Sequence, residues 1–112
     1  VLEAAVLDLY ERIIGQADGL AMERCVQIIT DKDFTQDLRR LAQEAREIVK
    51  VLILHGDSDH GMPYEASGKI VANILEHKAE TKLYEKAAHG LYLTRQERVL
   101  KDILGFLTMI QE

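Results

Sequence analysis

Cysteine, proline and glycine are scarce in this sequence, and no stretch of it is long and apolar. The one cysteine, Cys25, cannot close an internal disulfide, which fits a reducing compartment such as the cytoplasm. A single Pro and seven Gly exclude collagen-like and low-complexity chains. The longest purely aliphatic run, Val51-Leu52-Ile53-Leu54, falls far short of the ~20 residues a bilayer-crossing helix needs, so no membrane is expected as a partner. A basic surplus is also missing: 14 Lys and Arg stand against 19 Asp and Glu, a net charge of −5, with the two signs interleaved along the chain. Without a basic face the phosphate-neutralising contribution to nucleic-acid binding has no source, and no nucleic acid is expected either. The amino end, Val-Leu-Glu-Ala-Ala-Val-Leu-Asp, has neither an initiating Met nor a cationic leader before an apolar stretch. It carries no visible signal peptide and reads as a cut in a longer chain.

What is present is the material of a globular fold. Of 112 residues, 47% are hydrophobic and 29% charged, enough to build a core in one small domain or in part of a larger one. Leu2, Val6, Leu9 and Ile13 recur at helical spacing and predict an amphipathic helix closing near Gly15. Met22, Val26 and Ile29 mark a second helix, opened by Asp18 or Gly19, with Cys25 beside its stripe as a small hydrophobe. Thr30-Asp31-Lys32-Asp33 suits a turn and an N-cap before a third helix on Phe34, Leu38, Leu41 and Ala45. Residues 1–48 are therefore expected to be helical.

The pattern changes at Lys50. Val51-Leu52-Ile53-Leu54 reads as a strand buried on both faces, ended by His55-Gly56-Asp57-Ser58-Asp59-His60-Gly61. Pro63 suits a first helical position, and Ala66, Ile70, Val71 and Ile74 predict a helix from Tyr64 to Glu76. Small Ala66, Ser67 and Gly68 would let its first turn approach the sheet closely. Thr81–Glu85 reads as a second strand, and Thr94-Arg95-Gln96-Glu97 has capping-box spacing ahead of a helix on Val99, Ile103, Phe106, Leu107 and Ile110. Two successive strand–helix units imply an α/β class with parallel pairing. Two parallel strands cannot cover their own faces and edges, so further strands are expected upstream.

In such sheets reactive groups gather where strands end at their carboxyl side. Here those loops hold Asp57, Ser58, Asp59 and His60 after the first strand, and Ala87-Ala88-His89-Gly90 after the second. Neighbouring strands lie about 4.8 Å apart, so a carboxylate on one loop and an imidazole on the other can meet, directly or across one strand. Asp followed by His in this order matches the last two members of a Ser…Asp…His triad, in which the acid fixes the tautomer of the base.

The stretches VLILHGDSDHGMPYEASGKIV, TKLYEKAAHGLYLT and RVLKDILGFL resemble the carboxy-terminal third of α/β-hydrolases of the cofactor-free haloperoxidase and aryl esterase branch. TDKDFTQDL at 30–38 resembles the segment by which the family's helical lid returns to the sheet. The resemblance implies residues 1–48 as a lid remnant and connection, and 49–112 as the closing βαβα part of an incomplete α/β-hydrolase core. It further implies Asp59 as triad acid, His89 as triad base, a small ester or related acyl compound as substrate, and no metal or organic cofactor. The sequence departs from the family pattern at Lys50 and Ala88, where Pro is common, and at His60-Gly61-Met62 before Pro63. Nothing in the chain forms a Gly-x-Ser-x-Gly elbow, since Ser58 and Ser67 are its only serines. The nucleophile is therefore expected upstream, and the chain alone is expected to be inactive.

The same residues admit other readings. Asp57 suits a turn that bonds its own backbone. His55 suits a structural place under the turn, donating to backbone, while His60 and His77 read as solvated. Gly56-Asp57-Ser58 resembles the GDS-type lipases, but without their further Gly and Asn donors or terminal Asp-x-x-His. His55-x-Asp57-x-Asp59-His60 lies one residue from the zinc motif of the metallo-β-lactamase fold, with Asp57 in place of the second His. A non-catalytic interaction module with an α/β fold is the alternative from a different class.

Overall fold

The computed structural model describes residues 3–44 and 49–111. They fall into two compact units that divide between Phe34 and Thr35. The first unit holds helices α1, Ala4–Gly15, and α2, Gly19–Asp31. Asp18 is the N-cap of α2: its Oδ1 accepts from the Ala21 amide at 2.7 Å, satisfying one of the free N–H groups of the first turn. The turn expected at Thr30 begins later. Thr30 Oγ1 donates back to the Gln27 carbonyl at 3.0 Å, so it finishes the helix instead of capping the next one. Neither helix buries a residue, and Cys25 is exposed, which corrects its expected place as a packed small hydrophobe.

The second unit opens with α3, Thr35–Glu44; the Ala45 to Ile48 end of the expected third helix lies outside the described residues. Strand β1, Val51–Gly56, follows, then a 3₁₀ turn at Tyr64–Ala66, helix α4, Gly68–Leu75, a second 3₁₀ turn at Glu76–Lys78, strand β2, Ala79–Tyr84, a short helix α5, Leu91–Thr94, and helix α6, Gln96–Met109. The strands pair in parallel with Val51 opposite Ala79 and Gly56 opposite Tyr84. That register starts β2 two residues before the expected Thr81, because Ala79 and Glu80 face Val51 and Leu52.

Period-two alternation sorts the strand side chains onto two faces. Leu54 and Tyr84 lie on one, against Val99, Arg98 and Asp102 of α6. His55 lies on the other, against Tyr64 and Gly68 at the start of α4. One helix thus covers each face, as an α/β layering requires. Tyr84, Ala87 and Leu91 form the buried cluster, with Leu54 and Val99 packed on it. Residues 51–55 are half-buried, less than the expected two-sided burial, since the described sheet has two strands.

Two helix expectations need correction. The helix expected from Tyr64 breaks at Ser67, whose hydroxyl donates to the Pro63 carbonyl at 2.7 Å and whose backbone leaves the helical region. The break lets Gly68 press on the His55 ring: a Cβ there would lie 2.8 Å from Nδ1. The capping box at Thr94 does not form either. Thr94 Oγ1 donates back to the carbonyl of Gly90, the N-cap of α5, and α6 starts behind Arg95 without a side-chain cap.

Candidate active site

Both loops of interest leave the carboxyl ends of the paired strands. They are stitched together by backbone: the Asp57 amide donates to the Tyr84 carbonyl at 3.0 Å, and the Ser58 amide to the Ala87 carbonyl at 3.1 Å. Gly56 makes this approach possible. A Cβ there would sit 2.1 Å from the Ala87 oxygen, a distance no side chain tolerates. After β2 the chain turns at Lys86, whose φ of 52° lies in the left-handed region, and Arg95 Nη2 donates to the Lys86 carbonyl.

Within the first loop the Asp59 amide donates to the Gly56 carbonyl, closing a tight turn. Asp59 Oδ1 accepts from the Met62 amide at 2.9 Å and the Gly61 amide at 3.1 Å. Its Oδ2 meets His89 Nδ1 at 2.7 Å. Asp59 is 5% exposed, whereas the His89 side chain is 75% exposed, so a buried acid carries an accessible base on its surface. The Met62 amide, the His89 ring and the Gly61 amide hold the Asp59 carboxyl below its ordinary range, against the opposing effect of burial. An ionised carboxylate offers acceptors alone, so Nδ1 of His89 carries the hydrogen of this bond. The neutral ring then has Nε2 free to accept a proton.

Asp57 stands apart from this pair: it is exposed and accepts from Ser58 Oγ at 2.8 Å. Ser58 is thereby bonded to a carboxylate, not to an imidazole. His55 Nε2 is 2.8 Å from the Met62 carbonyl, and His60 and His77 are exposed. The residues of the zinc motif bond to different partners here, His55 to the Met62 carbonyl and Asp59 to two amides and His89. Among the described residues no three His, Cys, Asp or Glu converge on one point.

Sequence reasoning missed two supports. One is Gly56, whose need for closeness arises where two loops meet. The other is Tyr84, fully buried, whose hydroxyl donates to Asp102 Oδ2 while Arg98 lies 4.4 Å over its ring. An aromatic at a strand end with Asp and Arg spaced one helical turn apart on α6 was the available signal.

The loops after neighbouring parallel strands, with helices on both faces, thus bring a carboxylate and an imidazole together. Comparison with known proteins shows the family: the chain belongs to the α/β-hydrolases, as carboxy-terminal βα units of their sheet. The chain is 35% identical over 86 residues to the non-heme chloroperoxidase CPO-A1 of Kitasatospora aureofaciens, covering 75% of this chain and 29% of that protein. It is 34% identical over 83 residues to a non-heme chloroperoxidase of Streptomyces lividans, covering 74% and 28%. With the bifunctional esterase/perhydrolase DCH of Acinetobacter calcoaceticus it shares 36% identity over 75 residues, covering 67% and 25%. The matched region thus spans less than a third of the length of these curated relatives, and the chain resembles their carboxy-terminal part. No family model matches it.

Proposed function

We propose that Asp59 and His89 are the acid and base of a Ser-His-Asp triad, contributed by this chain to a serine hydrolase acting on ester or related acyl bonds. The observation that carries the reading is the 2.7 Å bond between the buried Asp59 carboxylate and the exposed His89 ring. The nucleophile comes from outside residues 1–112, because Ser58 is bonded to Asp57 and Ser67 donates to the Pro63 carbonyl. Residues 1–48 serve as lid and connection, and 49–112 as the closing part of the core.

In the assembled site His89 Nε2 takes the hydroxyl proton as the Ser oxygen bonds to the substrate carbonyl carbon. Asp59 stabilises the imidazolium, which then protonates the departing alcohol oxygen and leaves an acyl-enzyme. Water, deprotonated by the same Nε2, attacks that acyl carbon, and the Ser oxygen leaves with the proton. By similarity to the Acinetobacter esterase/perhydrolase, hydrogen peroxide is an alternative acceptor in this second step and yields a peracid. The scheme uses no metal or organic cofactor.

In the enzyme that carries the Ser, His89→Ala and Asp59→Asn are expected to lower kcat/KM on p-nitrophenyl acetate by about 10⁴-fold, since triad members act as a unit. Asp57→Asn is expected to cost less than about 10-fold, and the 112-residue chain alone to show no turnover above background. Equal losses at 57 and 59 with folding intact, or His89-dependent turnover by the isolated chain, would overturn the assignment.

A further inference from the structure

Asp59 ends in a carboxylate whose plane turns about a soft torsion: χ2 of Asp is broad, so its orientation is set by partners and not by rotamer preference. Which oxygen faces His89 therefore depends on what holds the other. Oδ1 is held by the amides of Gly61 and Met62. Those amides lie in a loop, and a loop amide is as well placed as the backbone that carries it.

We propose that His55 is a positioning residue for the Asp59–His89 pair, clamping Met62 by its carbonyl and so holding the Met62 amide on Asp59 Oδ1. The inference rests on the reading of Asp59 and His89 as acid and base. Met62 is gripped at both ends: its carbonyl lies 2.8 Å from His55 Nε2, and its amide lies 2.9 Å from Asp59 Oδ1. A carbonyl can accept and cannot donate, so Nε2 of His55 carries the hydrogen. The same Nε2 is 3.8 Å from Asp59 Oδ2, too long for a hydrogen bond but close enough for the positive end of the N–H dipole to favour that oxygen's charge. Oδ2 thus lies between two imidazoles, bonded to one and near the other.

The fold reserves space for this ring. His55 sits on the α4 face of β1 with its side chain 13% exposed, and Tyr64 packs against it edge-on with ring centroids 5.4 Å apart. Gly68 admits it from behind, since a Cβ there would lie 2.8 Å from His55 Nδ1 and 3.1 Å from a Tyr64 ring carbon. A strand residue that merely filled space would need no N–H aimed at a loop carbonyl. Without the clamp the 60–62 segment is free to shift, the Met62 amide leaves Oδ1, and the carboxylate turns away from Nδ1 of His89. The ring then relaxes to the tautomer with hydrogen on Nε2, which free imidazole side chains favour and in which Nε2 cannot accept a proton.

The test is long-range proton–nitrogen NMR on the ¹⁵N-histidine-labelled 112-residue chain, at a pH where the imidazoles are neutral. The wild type is expected to hold His89 mainly as the Nδ1–H tautomer. His55→Leu should move the majority to Nε2–H, and His55→Gln, whose amide nitrogen replaces Nε2 in position, should restore Nδ1–H. His55→Asn is polar but too short to reach Met62; it should behave like Leu, and it decides the matter against Gln if the Leu variant does not fold. Loss of stability alone does not move a native-state tautomer, so a merely structural role predicts no change in any folded variant. Folded Leu or Asn variants that keep Nδ1–H would overturn the positioning role and leave the triad reading standing. A wild type already in the Nε2–H form would remove the acid–base pairing itself, and this inference with it.

Discussion

Because the Met62 amide, the His89 ring and the Gly61 amide favour the ionised form of Asp59, the native state binds that proton less tightly than the unfolded chain does. Its contribution to stability is therefore fully present above the ordinary carboxylate range and is lost as pH falls through the lowered native value. Urea denaturation from about pH 5 down to about pH 2 is expected to show the midpoint of the wild type falling toward that of Asp59→Asn, with the gap between them widest at neutral pH. A gap independent of pH would mean that the carboxylate is not selectively held as an anion. Gly56 is the other residue on which the site turns. Gly56→Ala places a Cβ 2.1 Å from the Ala87 oxygen, so one backbone must retreat, at about 1–3 kcal/mol by analogy with overpacking. Thermal melts should show a lower Tm, and the Ser58 amide, bonded to Ala87, should lose hydrogen-exchange protection. Unchanged protection at Ser58 would show that the loops do not need their close contact. That a carboxylate of the first loop meets His89 was legible from the sequence, because each loop follows a strand that its own pattern announces. Telling Asp59 from Asp57 was not legible from the pattern, since the difference lies in which carboxylate the Gly61 and Met62 amides reach; that choice came from family resemblance.

Between elements, β2 is tied to α6 by Tyr84, its last residue, which reaches Asp102 and lies under Arg98. Burial, followed by its bond to Asp102, pushes the Tyr84 hydroxyl up to about 12. The sign is opposite to that of Asp59. Here the native state keeps its proton while the unfolded chain gives it up, so stability is complete below the ordinary phenol range near 10 and is lost as pH rises from there toward about 12. Alkaline titration followed by phenolate absorbance should find one tyrosine ionising together with unfolding, and Tyr84→Phe should remove that coupled step. Four tyrosines titrating normally before the fold is lost would contradict it. The elements themselves were largely readable, since the stripes of α1, α2 and α6 follow from simple periodicity and β1 from its unbroken aliphatic run. Their ends were not. Glu76 and Lys86 take φ of 50° and 52°, where Gly is the usual occupant, and nothing in a Glu or a Lys announces such a turn. Thr94 has the spacing of a capping box and instead closes α5, because the Gly90 carbonyl lies one turn back and accepts its hydroxyl.

At the scale of the whole molecule, the described residues of the second unit leave a strand edge and an apolar helix stripe exposed. Among the described residues β1 pairs with β2 and with no other strand, so one edge of β1 presents its backbone groups unpaired. On α6, Leu100, Leu104 and Leu107 fall on one stripe at helical spacing and are 55%, 55% and 45% exposed. Val99 of the same helix meanwhile packs on the Tyr84 cluster, so α6 is apolar on more than the face it buries. A chain with an open parallel edge and an open leucine stripe lowers its free energy by covering both, and in dilute solution the available cover is another copy of itself. The 112-residue chain is therefore expected to elute from size exclusion as a concentration-dependent oligomer. Leu104→Lys places a charge on the stripe without touching Tyr84, Ala87 or Leu91, and should shift the elution toward monomer with far-ultraviolet dichroism unchanged. A wild-type chain that stays monomeric and melts in one sharp transition would mean that both surfaces are already covered within a single copy.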